Sequence, residues 1–137
     1  MLYNAAALRF GPTISELDPE TFDEDVQIGI SSAMRAIKAA LPPMVVKKKG
    51  TILLTGGNLS DTPHPMALTL SVAKAGIRAT GKALFEMLKD QGVHIATLTV
   101  STGVTPGSEE ARQVGQAYWE IHTASQDAWQ YERYFGA

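Results

Sequence analysis

Two unbroken apolar runs, Thr51-Ile52-Leu53-Leu54-Thr55 and Val93 to Val100, each lie between stretches whose apolar residues recur at helical spacing. A strand that is apolar on successive residues needs cover on both faces, so such a chain folds as a sheet between two layers of helix. The elements around these runs agree. Leu2 to Ala7 is short and apolar and predicts a buried strand near the first residue. Asp18-Pro19-Glu20 predicts a helix start, with Asp18 capping free N–H groups and Glu20, Asp23, Glu24 and Asp25 at the positive end of the dipole. Phe22, Val26, Ile30, Ala33, Ile37 and Leu41 carry its buried stripe, and Pro42-Pro43 is expected to stop it. A longer helix is predicted from about Met66 to Asp90, with a stripe through Leu70, Ala73, Ile77, Gly81, Leu84 and Leu88. After Val100, a loop with Gly103, Pro106 and Gly107 leads to Ser108, which caps a helix from Glu109 to about His122. The aromatic tail from Thr123 to Ala137 shows no period.

Strand, helix, strand, helix, strand, helix, tail predicts an α/β protein with a small, mostly parallel sheet and right-handed crossovers. One domain is expected over residues 1–137, since this length is short for two cores. An apolar content of 45% and a charged content of 19% fit a folded globular chain. The formal net charge of −2 gives no electrostatic reason to expect nucleic acid. The basic run Lys47-Lys48-Lys49 is read as a solvated loop. With no cysteine, disulfides, thiol nucleophiles and thiolate metal sites are excluded. No apolar stretch approaches membrane-spanning length, and the first residues do not read as a signal peptide, so no membrane partner and a cytoplasmic location are expected.

A succession of motifs then carries a resemblance. Tyr3-Asn4-Ala5-Ala6-Ala7 is similar to an N-N-A-G segment at a strand end. Gly50 to Gly57 is similar to a strand that delivers a serine. Leu70-Ser71-Val72-Ala73-Lys74-Ala75-Gly76 resembles a Y-x-x-x-K-(A/G) helix, and Thr102-Gly103-Val104-Thr105 sits where a P-G-x-x-T loop belongs. Tyr118-Trp119-Glu120-Ile121-His122-Thr123 with Ala128-Trp129 is similar to the end of one divergent branch. Each is weak alone; their order and spacing resemble the C-terminal half of a short-chain dehydrogenase/reductase, over nearly the whole chain. The resemblance implies a truncated Rossmann-like α/β/α fold from the family's fourth strand onward. It also implies NAD(P) as the family cofactor, with Asn4, Lys74, Thr102, Gly103, Val104 and Thr105 as its contacts.

The departures bear directly on function. In the family a tetrad of Asn, Ser, Tyr and Lys acts on a substrate carbonyl. Counted from Lys74, Leu70 stands at the tyrosine position and Gly57 at the serine position; aligned through Leu41-Pro42, Gly29 stands at the asparagine position. Lys74 is the residual catalytic residue. Leucine has no ionisable proton and glycine no hydroxyl, so the motif lacks an acid. Gly56-Gly57 and Gly11-Pro12 do not form the G-x-G-x-x-G turn that seats a pyrophosphate at a helix N-terminus.

The expected function is therefore a non-catalytic, oligomer-forming module that binds no cofactor alone. The alternatives are an oxidoreductase whose N-terminal half lies outside this chain, and a small-molecule binder using the cleft between the Gly57, Leu70 and Thr102 segments. In this isolated chain Lys74 is expected to be a solvated or snorkelling side chain. If the family strand order holds, the 2–7 strand is an open apolar edge. A homo-oligomer is expected through that edge or through helices 20–41 and 66–90, which form dimer interfaces in the family. His64, His94 and His122 lack companions at metal-ligand spacing, so no metal site is expected and each is read as a surface or half-buried histidine. Ser60-Asp61 with His64 lacks a nucleophile elbow and is not read as a hydrolase site.

Overall fold

A computed structural model describes residues 1–136. Four strands form one sheet in the order β1-β2-β3-β4, and all three pairings are parallel. They are β1 (Leu2–Tyr3), β2 (Gly50–Gly57), β3 (Val93–Val100) and β4 (Glu132–Phe135). Between β1 and β2 run α1 (Pro19–Val26), a π-helical turn (Gln27–Ser31) and α2 (Ser32–Lys47). Helix α3 (Leu68–Asp90) joins β2 to β3, and α4 (Glu109–Thr123) follows β3. The sheet between two helical layers expected from the two apolar runs is observed, and its arrangement is the Rossmann-like one that the resemblance implies.

Each face of the sheet has its own core. Ile52, Leu54, Val93 and Ile95 meet Ala33 and Ile37 of α2 and Ile77, Phe85 and Leu88 of α3. Leu53, Ala96 and Leu98 project to the opposite side and meet Ala117 and Ile121 of α4. This alternation is the period of two expected of strands, applied to residues that are apolar on both faces. Gly81 lets α3 approach closely: a Cβ there would stand 2.5 Å from Thr97 Oγ1.

The caps fall where the sequence places them. Asp18 accepts a hydrogen bond from the Thr21 N–H, and Ser108 accepts one from the Ala111 N–H. Three boundaries differ. The predicted 2–7 strand is only Leu2–Tyr3, paired with Leu53 and Leu54; the following alanines leave the sheet. Pro42 and Pro43 lie inside α2 rather than ending it. Both rings are exposed, while Leu41, Met44 and Val45 pack on the core, so burial on one side holds the helix through the hydrogen bonds that proline removes. The tail contains a strand, β4, that no alternation announced.

The 4–18 segment has no regular strand or helix but is tied down. Arg9 donates to both carboxylate oxygens of Asp25 (2.8 and 3.2 Å), and Asp25 is buried. The guanidinium is the main reason its carboxyl sits below the usual range; burial opposes that, and Thr69 adds a smaller hydrogen bond.

Candidate functional site

The register of the parallel strands brings the candidate residues to one edge. Tyr3 pairs with Leu54 and Gly57 with Val100. Asn4, the Thr55–Gly57 segment and Thr102 therefore all lie where strands end, at the carboxyl edge used by open α/β sheets for ligands. Helix α3 runs behind this edge and supplies Lys74.

Lys74 is half-buried, with its stem running along β2. Its Nζ donates to the Thr55 carbonyl oxygen at 2.8 Å, and burial pushes its pKa below the ordinary lysine value. The aliphatic stem runs past Gly57, where a Cβ would sit 3.5 Å from Lys74 Cε and Cγ. That is ordinary contact, so this position has room for a small side chain but carries no hydroxyl. Leu70, one turn earlier on α3, is 5% exposed and offers neither a proton nor much surface to a ligand. Gly29 sits in the π-helical turn, where a Cβ would come within 2.5 Å of the Ala73 Cβ. At that position glycine is required by helix–helix contact, and an asparagine would collide with α3.

Asn4 and Thr102 to Thr105 are exposed. The structure thus brings Lys74 and Gly57 into contact, places Leu70 beside them on α3, seats Gly29 against the next residue before Lys74, and leaves the two loop segments open at the same edge.

Two arrangements near this edge escaped the sequence reading. On the α4 side, the Tyr118 hydroxyl lies 2.6 Å from Thr55 Oγ1. Burial raises its pKa, with the Thr55 hydrogen bond pulling weakly the other way. Thr55 therefore bonds Lys74 through its carbonyl and Tyr118 through its side chain. The second is a clamp around Arg78, one turn beyond Lys74. Arg78 bonds Asp61, donates to Glu132 at 2.9 Å and donates to the Tyr134 hydroxyl at 2.9 Å. Tyr134 in turn donates to Asp61 at 2.9 Å, and Glu132 accepts from the Thr99 hydroxyl at 2.7 Å. One guanidinium thereby joins the loop after β2, α3, β3 and β4. The signal was Arg78 four residues from Lys74, on the same helix face; its partners lie 17 and 54 or more residues away.

A dinucleotide needs amides at a helix N-terminus for its pyrophosphate. Among the described residues, α1 opens with Asp18 and Glu20 and α4 with Ser108, Glu109 and Glu110, whose carboxylates repel phosphate. The start of α3 is covered by the His64–Ala67 turn, with Thr69 and Leu70 buried. These residues do not fit the pyrophosphate, although the carboxyl edge with Lys74 is compatible with the nicotinamide end. Among the described residues no three His, Cys, Asp or Glu side chains converge as a metal site. His94, expected at the surface or half-buried, is fully buried.

The short chain dehydrogenase family model matches residues 1–116. A very-long-chain 3-oxoacyl-CoA reductase of Mycosarcoma maydis is 29% identical over 86 residues, covering 63% of this chain and 25% of the relative. A short-chain dehydrogenase structure from Rhodopseudomonas palustris superposes with a TM-score of 0.87 at 21% identity, over 99% of this chain and 60% of that one. A 3-oxoacyl-[acyl-carrier protein] reductase from Brucella melitensis with bound NAD gives 0.83 at 17% identity, over 96% of this chain and 57% of that one. The chain spans less than two thirds of each of these proteins. The strand order, the lysine at the carboxyl edge and the family match lead to one conclusion: this chain belongs to the short-chain dehydrogenase family.

Proposed function

We propose that this chain is a non-catalytic short-chain dehydrogenase-like module that does not carry out hydride transfer alone. The observation that carries the reading is the state of Lys74. Its ammonium is tethered to a backbone carbonyl beside a buried Leu70 and Gly57, which the resemblance sets at the acid and serine positions. A lysine so held ties α3 to β2, which is a structural task. A tyrosine-dependent proton transfer has no donor on that face. A ligand bound with micromolar affinity would stabilise the fold by about 4 kcal/mol at a thousandfold excess over Kd. Thermal unfolding with about 1 mM NADH or NADPH is therefore expected to show no shift in Tm; a rise of several degrees would overturn the reading.

A second reading, an oxidoreductase completed by a dinucleotide-binding segment outside this chain, is favoured by the same lysine. Lys74 is drawn toward the carboxyl edge, where the family uses it, rather than left in water. Under that reading, the carbonyl of a substrate would meet Lys74 from the side of Gly57.

We also propose self-association through the outer faces of α2 and α3, with the short β1 edge as a second surface. Met34, Val72 and Met87 are exposed on these helices, and the Thr80 hydroxyl reaches Met34 Sδ, so the two faces adjoin. Light scattering is expected to return at least a dimer at micromolar concentration. A monodisperse monomer would contradict the proposal.

A further inference from the structure

A neutral imidazole carries one N–H, and an imidazolium two. His94 is 2% exposed. Its Nε2 is 3.0 Å from the Gln130 carbonyl oxygen. A carbonyl only accepts, so Nε2 bears the proton and Nδ1 is left as a buried lone pair with no partner. The Ile121 carbonyl also favours a charged ring. It lies in the last turn of α4, where carbonyls lack intrahelical donors. The ring stacks on Trp129, centroids 4.7 Å apart and planes 6° apart, and meets Phe85 edge-on. Beside it a cavity of about 100 Å³ is lined by Ile121, Gln130, Glu132 and Arg133 among others.

We propose that His94 is a pH-sensitive latch: neutral, it holds the 124–136 segment against the sheet, and protonated, it releases that segment and opens the cavity between α4 and β4. The docked segment owes three contacts to this side chain or its neighbours: the Gln130 hydrogen bond, the Trp129 stack, and the Glu120–Arg133 ion pair at 2.7 Å across the cavity. A charge on a ring this deeply buried is solvated only when water enters along the cavity. Lys89 of α3 is the charged group that acts on His94, and Glu120 of α4 with Glu132 and Arg133 of β4 line the cavity beside it. Glu120 is paired with Arg133 and Glu132 with Arg78, and Lys89 opposes a second positive charge.

Burial is the leading influence on His94 and holds its pKa below the ordinary 6.5; the Gln130 and Ile121 carbonyls oppose it. The released segment takes up a proton near the ordinary value, and the docked one resists it. Docking is therefore complete above that value and is lost as pH falls through the depressed one.

The test follows Trp129 fluorescence in the full chain with Trp119→Phe, together with amide exchange, from about pH 7.5 to pH 4.5. The expected result is a reversible transition with a midpoint below pH 6.5. Protection of residues 129–135 should fall at least tenfold while β2 and β3 stay protected, and His94→Gln should abolish the transition. A flat trace, a transition shared by the whole fold, or an unchanged transition in His94→Gln would overturn the latch. Should His94→Gln fail to fold, the His94 ring is titrated by NMR in the unsubstituted chain. Coincidence with the fluorescence midpoint supports the latch, and separation of the two overturns it.

Discussion

Gly29, Gly57 and Leu70, which the resemblance sets at positions of polar residues, are each held in place by different physics. At Gly29 a side chain is excluded by Ala73; at Gly57 it is merely absent; at Leu70 it is replaced by buried apolar packing. This separates two substitutions that look alike on paper. Gly29→Asn should destabilise the fold by roughly 1–3 kcal/mol through overpacking, read as a lower urea midpoint. Gly57→Ser should stay within about 0.5 kcal/mol of the parent, because its Cβ meets only the flexible Lys74 stem. Equal losses from both would show that the π-helical turn yields to α3 more readily than the contact implies. The physical setting of each position was not legible in the sequence, because distance to a neighbouring helix leaves no mark in a single line of residues. The tether of Lys74 was not legible for a similar cause: a lysine on a long helix usually runs out to water, and only the fold places the Thr55 carbonyl within reach.

Among the elements, legibility followed apolar content. β2 and β3 are buried on both faces and were plain, as were the capped starts of α1 and α4. β4 was hidden because Glu132, Arg133, Tyr134 and Phe135 carry two charges and no alternation. It is a strand because β3 offers a free edge and Arg78 offers Glu132 a partner. The Glu132 side chain is 4% exposed, so removing its partner strands a buried carboxylate. Arg78→Ala is expected to cost roughly 1–3 kcal/mol, discounted from the buried-pair range for the partial exposure of Arg78. The loss should concentrate in amide exchange of β4 and of the loop at Asp61. Destabilisation spread evenly over α1 and β2 would contradict the clamp. α2 shows the opposite failure, where a strong local stop signal at Pro42-Pro43 was overridden by one-sided burial.

For the whole molecule, the fold and family were written in the order of elements and motifs, whereas the function was not. A family active site is assembled from a phosphate cradle, an acid and a lysine. Here the described residues supply the lysine, tied to a carbonyl, and helix N-termini that carry acids of their own. Three polar side chains hold segments of the fold together. Lys74 joins α3 to β2, Arg78 joins four segments, and Arg9 secures the 4–18 segment through Asp25. The claim on which this rests is that the isolated chain does not grip a dinucleotide. Isothermal titration calorimetry of the purified 137-residue chain with NADH and with NADPH addresses it directly. The account predicts no saturable heat, or affinity no better than millimolar, for both; a stoichiometric isotherm with a micromolar Kd for either would contradict it.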